Sequence, residues 1–155
     1  ESAQLLSTAH RVLDGMPLTT TKHCMNGKTR KQKYWALEDP RGSLLYNATH
    51  VNHPSAIWAR QSNNNYNWLW CYLNEHCKEY THRYGKLHAC ERLVGSLSSP
   101  PKNIDMDKRF TEPTPAMPDD YKVAGDSIQS YKNYYLGDKQ RMFSWKNRPK
   151  PTWIV

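Results

Sequence analysis

The chain has 155 residues, of which 37% are hydrophobic, and its 22 lysines and arginines exceed its 14 aspartates and glutamates to give a net charge of +8. This length predicts a single domain over residues 1–155, because two separate cores would each be small. No apolar run reaches the roughly 20 residues of a membrane span, so we expect a cytoplasmic protein with no membrane partner. The positive charge favours a polyanionic partner such as nucleic acid.

The first residues already repeat at helical spacing. Leu5, Ala9 and Leu13 follow one another at four-residue intervals and predict a helix that ends near Gly15. A helix that begins at residue 1 has no capping residue before it, so we expect the natural chain to continue upstream.

The next segment, about residues 15–50, lacks a sustained period. Short apolar runs at residues 34–37 and 44–46 flank Asp39-Pro40-Arg41-Gly42, whose residue types are those of a turn. A short hairpin and two buried loop segments are both compatible with this pattern. We expect an irregular insert here.

The clearest element is a long helix over residues 63–85. Its apolar residues recur in alternating steps of three and four, so they share one face that we expect to pack in the core. Asn63, Asn64 and Asn65 are candidate N-caps, and Gly85 is a candidate left-handed residue at the end. The residues on this face are Tyr66, Trp70, Leu73, Cys77, Tyr80 and Tyr84.

Shorter helices are expected around the long one. Proline follows His53 at a first helical position, another helix begins near Lys86, and two more cover residues 125–137 and 138–146. Residues 98–120 are rich in proline and predict an extended surface loop. Together these elements predict an all-α fold, a compact single-domain helical bundle with long irregular loops.

The cysteines, histidines and basic residues indicate which kinds of site the chain could form. The cysteines, Cys24 among them, form no Cys-x-x-Cys pair, and no His-x-x-x-His pair occurs with a neighbouring carboxylate, so we expect no metal and no organic cofactor. Two basic clusters are interleaved with tyrosine or tryptophan, which suits stacking on unpaired bases between phosphate contacts. A solvated basic surface is the alternative. The clusters are Lys28, Arg30, Lys31 and Lys33, and Lys139, Arg141, Lys146, Arg148 and Lys150.

Three groups of residues occur in the order of a known family. They are Glu-Ser-Ala-Gln-Leu-Leu at residues 1–6; Asn52-His53-Pro54 with Trp58 and the later Arg83-Tyr84-Gly85; and residues 117–121 followed by Tyr-Lys-Asn-Tyr-Tyr-Leu-Gly at 131–137. The set resembles the bacteriophage pyrimidine-dimer DNA glycosylase and abasic-site lyase family of the endonuclease V type. The likeness is to a divergent member truncated at its N-terminus.

The resemblance implies a helical protein that acts on damaged or modified pyrimidines in DNA. In that family an N-terminal amine attacks C1′ of the deoxyribose to form an imine, and a glutamate assists; Glu1 matches this glutamate. The α-amino group is suited to this attack because its pKa, near 8, is the lowest of the unperturbed amines. The matching amine precedes this sequence in a typical member. Gln4 stands where the family tends to have an arginine, with His10 and Arg11 only at later turns.

The resemblance and the basic residues together predict the interface. We expect a monomer that binds double-stranded DNA, in the host cytoplasm if a phage encodes it. Two other functions stay open, namely a noncatalytic DNA-binding module and a phage thymine-hypermodification transferase. His53 could instead serve only as a helix-entry residue, and Trp58 is expected in the core. The expected site residues are catalytic Glu1 and the DNA-binding residues His53, Arg60, Arg83, Lys86, Tyr131, Lys132, Tyr134, Tyr135, Lys139 and Arg141.

Overall fold

The computed structural model describes residues 1–23, 25 and 27–154, and Cys24 lies outside this described part. Its elements combine α-helices with a two-stranded sheet. In chain order they are α1 (Ser2–Asp14), β1 (Met16–His23), β2 (Thr29–Ala36), α2 (Arg41–Leu44), α3 (Pro54–Ala59), α4 (Asn63–Tyr84), α5 (Glu91–Val94) and α6 (Ser127–Asp138). Single turns of 3-10 helix cover Asp119–Tyr121 and Gln140–Met142.

The expected all-α bundle is wrong, because residues 15–50 do not form an irregular insert. β1 and β2 make an antiparallel hairpin whose register runs from Met16↔Ala36 to His23↔Thr29. Three consecutive threonines favour a strand, and Asn26-Gly27 is a hairpin turn pair in the sequence. The hairpin escaped prediction because both its faces are polar and exposed, so no alternation of apolar residues marks it. The turn sequence at residues 39–42 leads into α2 instead of connecting strands.

The hydrophobic core lies between α1, α3 and α4. Leu6 and Ala9 of α1 are fully buried, as are Ala59 of α3 and Tyr66 of α4. Leu93 and Leu97 close the core from the later part of the chain. Burial of a leucine-sized side chain stabilises the fold by about 1.5–3 kcal/mol, so this cluster fixes how the three helices meet.

A buried arginine ties the hairpin to α1. The guanidinium of Arg11 donates hydrogen bonds to four backbone carbonyls, those of Trp35, Gly42, Leu45 and Tyr46, at 2.6–3.0 Å. Burial lowers the pKa of Arg11, since none of these partners carries a charge. Arg11 therefore holds the end of β2 and the loop after it against the first helix, and its side chain is buried away from any DNA-facing surface.

A second buried network joins α1 to α4. Nε2 of His10 lies 2.8 Å from the hydroxyl of Tyr66, and Arg41 donates to Nδ1 at 2.8 Å. Because Nδ1 accepts, the proton lies on Nε2 and is donated to Tyr66, whose hydroxyl donates in turn to the Leu97 carbonyl at 2.9 Å. Asp14 and Asp39 bind Arg41 with ion pairs of 2.6 and 2.7 Å. His10 is thus structural, like Arg11.

The long helix is confirmed over Asn63–Tyr84. Ser62 caps it by accepting the Asn65 N–H, so the expectation that an asparagine caps it is wrong; the predicted left-handed Gly85 is confirmed with φ 62°. Tyr66, Leu73 and Cys77 are buried as expected, whereas Tyr84 is half exposed.

The remaining helices are shorter than predicted. The last helix forms over Ser127–Asp138 with Asp126 as its cap, but residues 138–146 contain only a 3-10 turn. The helix expected from Lys86 is reduced to Glu91–Val94. Residues 95–118 contain no helix or strand and are held by the buried Leu97, Pro101 and Ile104. None of the helices in the described ranges is both long and apolar enough to cross a bilayer.

Candidate functional site

An open cleft of about 680 Å³ lies where the N-terminus of α1 meets α3, α4 and α6. Its size falls in the range of about 300–1,000 Å³ that is common for small-molecule sites. Most of its lining is aromatic or apolar, with a few polar groups at the helix ends. Such a lining is typical of a site that holds a planar ligand.

One wall of the cleft is a group of aromatic rings from α3 and α4. Trp68 and Tyr72 stack with ring centroids 5.5 Å apart and planes 9° from parallel. Trp58 meets Trp68 edge to face at 5.8 Å, and its indole N–H donates to the Thr111 carbonyl at 2.8 Å. Trp58 is buried, whereas Trp68 and Tyr72 remain 40% and 46% exposed. The exposed rings therefore offer free aromatic surface to a ligand.

The facing wall comes from α6. Tyr131, Lys132 and Tyr135 line the cleft within one helical turn. Ser127, in the first turn of the same helix, donates to Glu112 at 2.6 Å and so fixes the helix against the loop before it. Burial, followed by the nearby tyrosines of α6, raises the pKa of Tyr72, so the cleft keeps this phenol neutral.

Two polar groups stand at the helix ends. Glu1 is the N-cap residue of α1, yet its side chain makes no capping hydrogen bond, and it lines the cleft. Nδ1 of His53 accepts the Ser55 N–H at 3.2 Å, which leaves Nε2 of the neutral ring as a donor. A carboxylate and an imidazole therefore border one aromatic cleft.

A second cavity of about 600 Å³ adjoins the first. Glu1, Ser2, Tyr135 and Trp153 line both, so Glu1 lies at their shared wall. In the second cavity Arg83 pairs with Glu79 at 2.7 Å, and Arg148 from the C-terminal segment pairs with the same carboxylate at 2.7 Å. These arginines hold the pKa of Glu79 at about 2, with Arg148 the larger influence.

The cleft brings together about half of the residues expected to act. Glu1, His53, Tyr131, Lys132 and Tyr135 all line it, although they come from distant parts of the chain. Their roles in a shared site stay a prediction.

The other predicted DNA-binding residues lie elsewhere. Arg60 donates to the Val51 carbonyl at 2.8 Å, and Arg83 belongs to the Glu79 pair in the second cavity. Tyr134 packs on Tyr121 at 5.3 Å and receives the Lys139 ammonium over its ring at 4.9 Å. Lys86 and Arg141 are exposed outside the cleft.

Sequence reasoning missed the aromatic wall. Trp68, Tyr72 and His76 recur every four residues on α4, which marks a second aromatic face beside the core-facing one. Trp153 near the C-terminus also lines the cleft, and no local pattern marks it. Trp58 was expected in the core, where it is, but one side of its ring borders the cleft.

Metal ligands do not gather in the described ranges, where no three histidine, cysteine, aspartate or glutamate side chains form a group that could hold an ion. Comparisons with protein-family models, with curated proteins and with solved structures give no match to this chain.

Proposed function

We propose that the protein is a DNA glycosylase and abasic-site lyase that takes a damaged or modified pyrimidine nucleotide out of duplex DNA into the cleft. The observation that carries the proposal is the joining of stacked, half-exposed aromatic rings to a carboxylate, Glu1, in one open cleft. The family resemblance of the sequence supports the same chemistry. The protein would act in the cytoplasm, or in the host cytoplasm if a phage encodes it.

The aromatic rings of the cleft can stabilise an extruded nucleotide by stacking. Removal of a base from the duplex stack costs a few kcal/mol. Stacking of one base on an aromatic side chain returns about 1–3 kcal/mol, and it works for any base because every base has a π-face. Trp68 and Tyr72 provide this surface opposite Tyr131 and Tyr135.

Polar groups of the cleft have separate roles in this proposal. Lys132 supplies a positive charge for the phosphate beside the extruded nucleotide. The Nε2 donor of His53 suits a phosphate or sugar oxygen. The net charge of +8 supports association with DNA through release of its counterions.

The proposed reaction proceeds through an imine. A neutral amine preceding Glu1 in the natural chain attacks C1′, the C1′–N1 bond breaks, and the base leaves with the bonding electron pair and takes up a proton. Glu1 protonates the ring oxygen as the sugar opens, and the nitrogen loses a proton as the C1′=N bond forms. Loss of a C2′ proton then expels the 3′ phosphate and cuts the strand. Positioned acid–base groups contribute about 10²–10⁴-fold in such steps.

A thymine-modifying transferase is the second candidate. It is favoured by the second cavity, because a transferase needs room for a donor molecule next to the base, and both cavities meet at Glu1. A noncatalytic DNA-binding module would use the same aromatic wall without requiring Glu1.

Strand cleavage at an abasic site tests the proposal. In the natural full-length chain, Glu1→Gln should lower the single-turnover cleavage rate about 10²–10⁴-fold while leaving DNA affinity within about threefold. Glu38→Gln is the matched control, because it removes one carboxylate at an exposed position that lines neither cavity, and it should cleave like wild type. Equal cleavage by wild type and Glu1→Gln would refute the role of Glu1, and modification of thymine in intact duplex DNA only with an added small-molecule donor would favour the transferase.

A further inference from the structure

The hairpin formed by β1 and β2 carries most of the net charge of the chain. Residues 15–37 contain five lysines and arginines and no aspartate or glutamate, against a net charge of +8 for all 155 residues. Every hairpin residue from Thr19 to His23 and from Thr29 to Tyr34 is exposed. The five cations are Lys22, Lys28, Arg30, Lys31 and Lys33.

The strand register places like charges together. Lys22 and Arg30 are direct cross-strand partners near the tip, where like charges opposite each other destabilise a sheet. Lys31 and Lys33 stand opposite Thr21 and Thr19 on the other face, so both faces are positive. The side chains of Lys22, Arg30, Lys31 and Lys33 form no ion pair or hydrogen bond with other described residues. Nothing in the described chain neutralises these four charges.

The hairpin also lacks a core of its own. A two-stranded ribbon alone is at best marginally stable in water. At its base Arg11 binds the Trp35 carbonyl at 3.0 Å, and Gly15 lies tightly against the Trp35 Cβ and the Ala36 carbonyl. Its eight-residue strands extend about 26 Å, at roughly 3.3 Å per residue. The exposed part of the hairpin is therefore a positively charged arm without a core of its own.

We propose that this hairpin is a DNA-binding arm that lies in the major groove of duplex DNA. It is separate from the nucleotide cleft. The major groove admits a two-stranded ribbon, and phosphates on both sides of the groove would meet the two positive faces. Bound phosphates would also relieve the repulsion between Lys22 and Arg30. This inference takes duplex DNA as the partner from the proposed function, but it does not depend on the chemistry of the cleft.

The arm and the cleft contact different parts of the duplex. The cleft lies at the N-terminus of α1 and the hairpin follows its C-terminus, and the 13 residues of α1 span about 20 Å at 1.5 Å each. The hairpin therefore supplies affinity for undamaged duplex flanking the extruded nucleotide. Its four freely exposed cations would contribute up to about 3.6 to the salt slope of binding, at 0.9 per phosphate contact.

The test measures affinity for an undamaged duplex of about 30 base pairs as salt is varied. One variant replaces Lys22, Arg30, Lys31 and Lys33 with glutamine. Its matched control replaces four exposed lysines outside the hairpin and the cleft, so both variants lose the same charge. The control positions are Lys78, Lys102, Lys108 and Lys122.

We expect the hairpin variant to lose at least about tenfold in affinity and about 2–4 from the salt slope, with the control slope changed by less than about 1. A variant with Lys22, Lys31 and Lys33 as arginine should bind like wild type, and circular dichroism checks that the glutamine variant is folded. Equal slopes for hairpin variant and control would overturn the arm.

Two further outcomes distinguish a DNA-binding arm from a membrane-binding one and from the lyase function. Binding to phosphatidylserine vesicles, lost in the hairpin variant, with no binding of DNA would assign the arm to membranes and overturn the proposal. If the arm binds duplex DNA but the full-length chain does not cleave abasic sites, the proposal for the arm is supported and the lyase function is refuted.

Discussion

Trp68 and Tyr72 stack on one side of α4 with centroids 5.5 Å apart, on a helix whose other side fills the core. Both rings are nearly half exposed, although burial of either ring would stabilise the fold. The proposed function depends on this half-exposed stacked pair and on the carboxylate beside it.

Removal of one ring tests the role of the pair without disturbing the core. Tyr72→Ala should weaken binding to duplex DNA carrying a damaged or modified pyrimidine about 5- to 150-fold, since one base stack contributes about 1–3 kcal/mol. The melting temperature should change little, because Tyr72 is 46% exposed. Fluorescence anisotropy at fixed salt measures the affinity.

Tyr84→Ala is the matched control for this variant. Tyr84 lies on the same helix and is 50% exposed, but it lines only the second cavity. The control should bind the same damaged duplex within about twofold of wild type, because no base stack is lost. The same loss in both variants would contradict a specific role for the cleft.

The His10 network predicts a pH dependence of stability. Burial, and then the charge of Arg41, lowers the pKa of His10 from 6.5 to about 4. The unfolded chain takes up a proton as the pH falls through 6.5, whereas the folded chain does not until about 4, so falling pH favours unfolding. The free energy of unfolding should drop by roughly 3 kcal/mol between these pH values.

Urea unfolding at several pH values checks this, with His10→Gln as the comparison. The glutamine amide can still donate to Tyr66 but does not titrate, so the variant should lose most of the slope between pH 6.5 and 4. An unchanged slope would show that His10 is not the titrating group.

A methyl group on the glycine of α6 should lower the stability of the fold. A Cβ at Gly137 would contact the Cε1 of Tyr121, and the displaced ring would leave Tyr134, now 5.3 Å away. Gly137→Ala should lower the free energy of unfolding by about 1–3 kcal/mol, as overpacking does.

Gly95→Ala is the control for this substitution. Gly95 has helical backbone angles and open space where a Cβ would lie, so alanine there should be neutral or stabilising by about 0.4–1 kcal/mol. Equal melting temperatures for both variants would contradict the packing of Tyr121 on α6.

Arg11 should be required for folding as a buried donor. Arg11→Met would leave the carbonyls of Trp35, Gly42, Leu45 and Tyr46 without this donor, at about 1–3 kcal/mol for each one that stays dry. Denaturant unfolding should show a loss of at least about 3 kcal/mol, and Arg109→Met, at an exposed position, should show less than about 0.5 kcal/mol. A small effect of Arg11→Met would mean that water replaces the guanidinium.

The elements with strong apolar periods were predictable. The long helix and its left-handed Gly85 follow directly from residue spacing, since one face of α4 must be buried. The hairpin was not found, because its exposed strands need no apolar alternation and depend on the threonine run and the turn residues alone. An exposed element is therefore marked in the sequence only by residue types such as these, which are a weaker signal than an apolar period.

About half of the predicted site residues line the candidate site, and they do so for a similar reason. Glu1 and His53 were singled out by their place in a recognisable order of residues, and Tyr131 by its aromatic neighbours in the sequence. Lys139 was selected for its charge, but its ammonium lies over the ring of Tyr134 and outside the cleft. The local sequence does not encode this position. Trp153 enters the cleft only through the path of the C-terminal segment, which no local pattern encodes.

Covalent trapping tests the central claim most directly. The natural full-length chain is incubated with duplex DNA containing an abasic site in the presence of borohydride, which reduces an imine to a stable amine link. We predict that wild type forms a covalent protein–DNA adduct. No adduct at saturating DNA would contradict the glycosylase and lyase function.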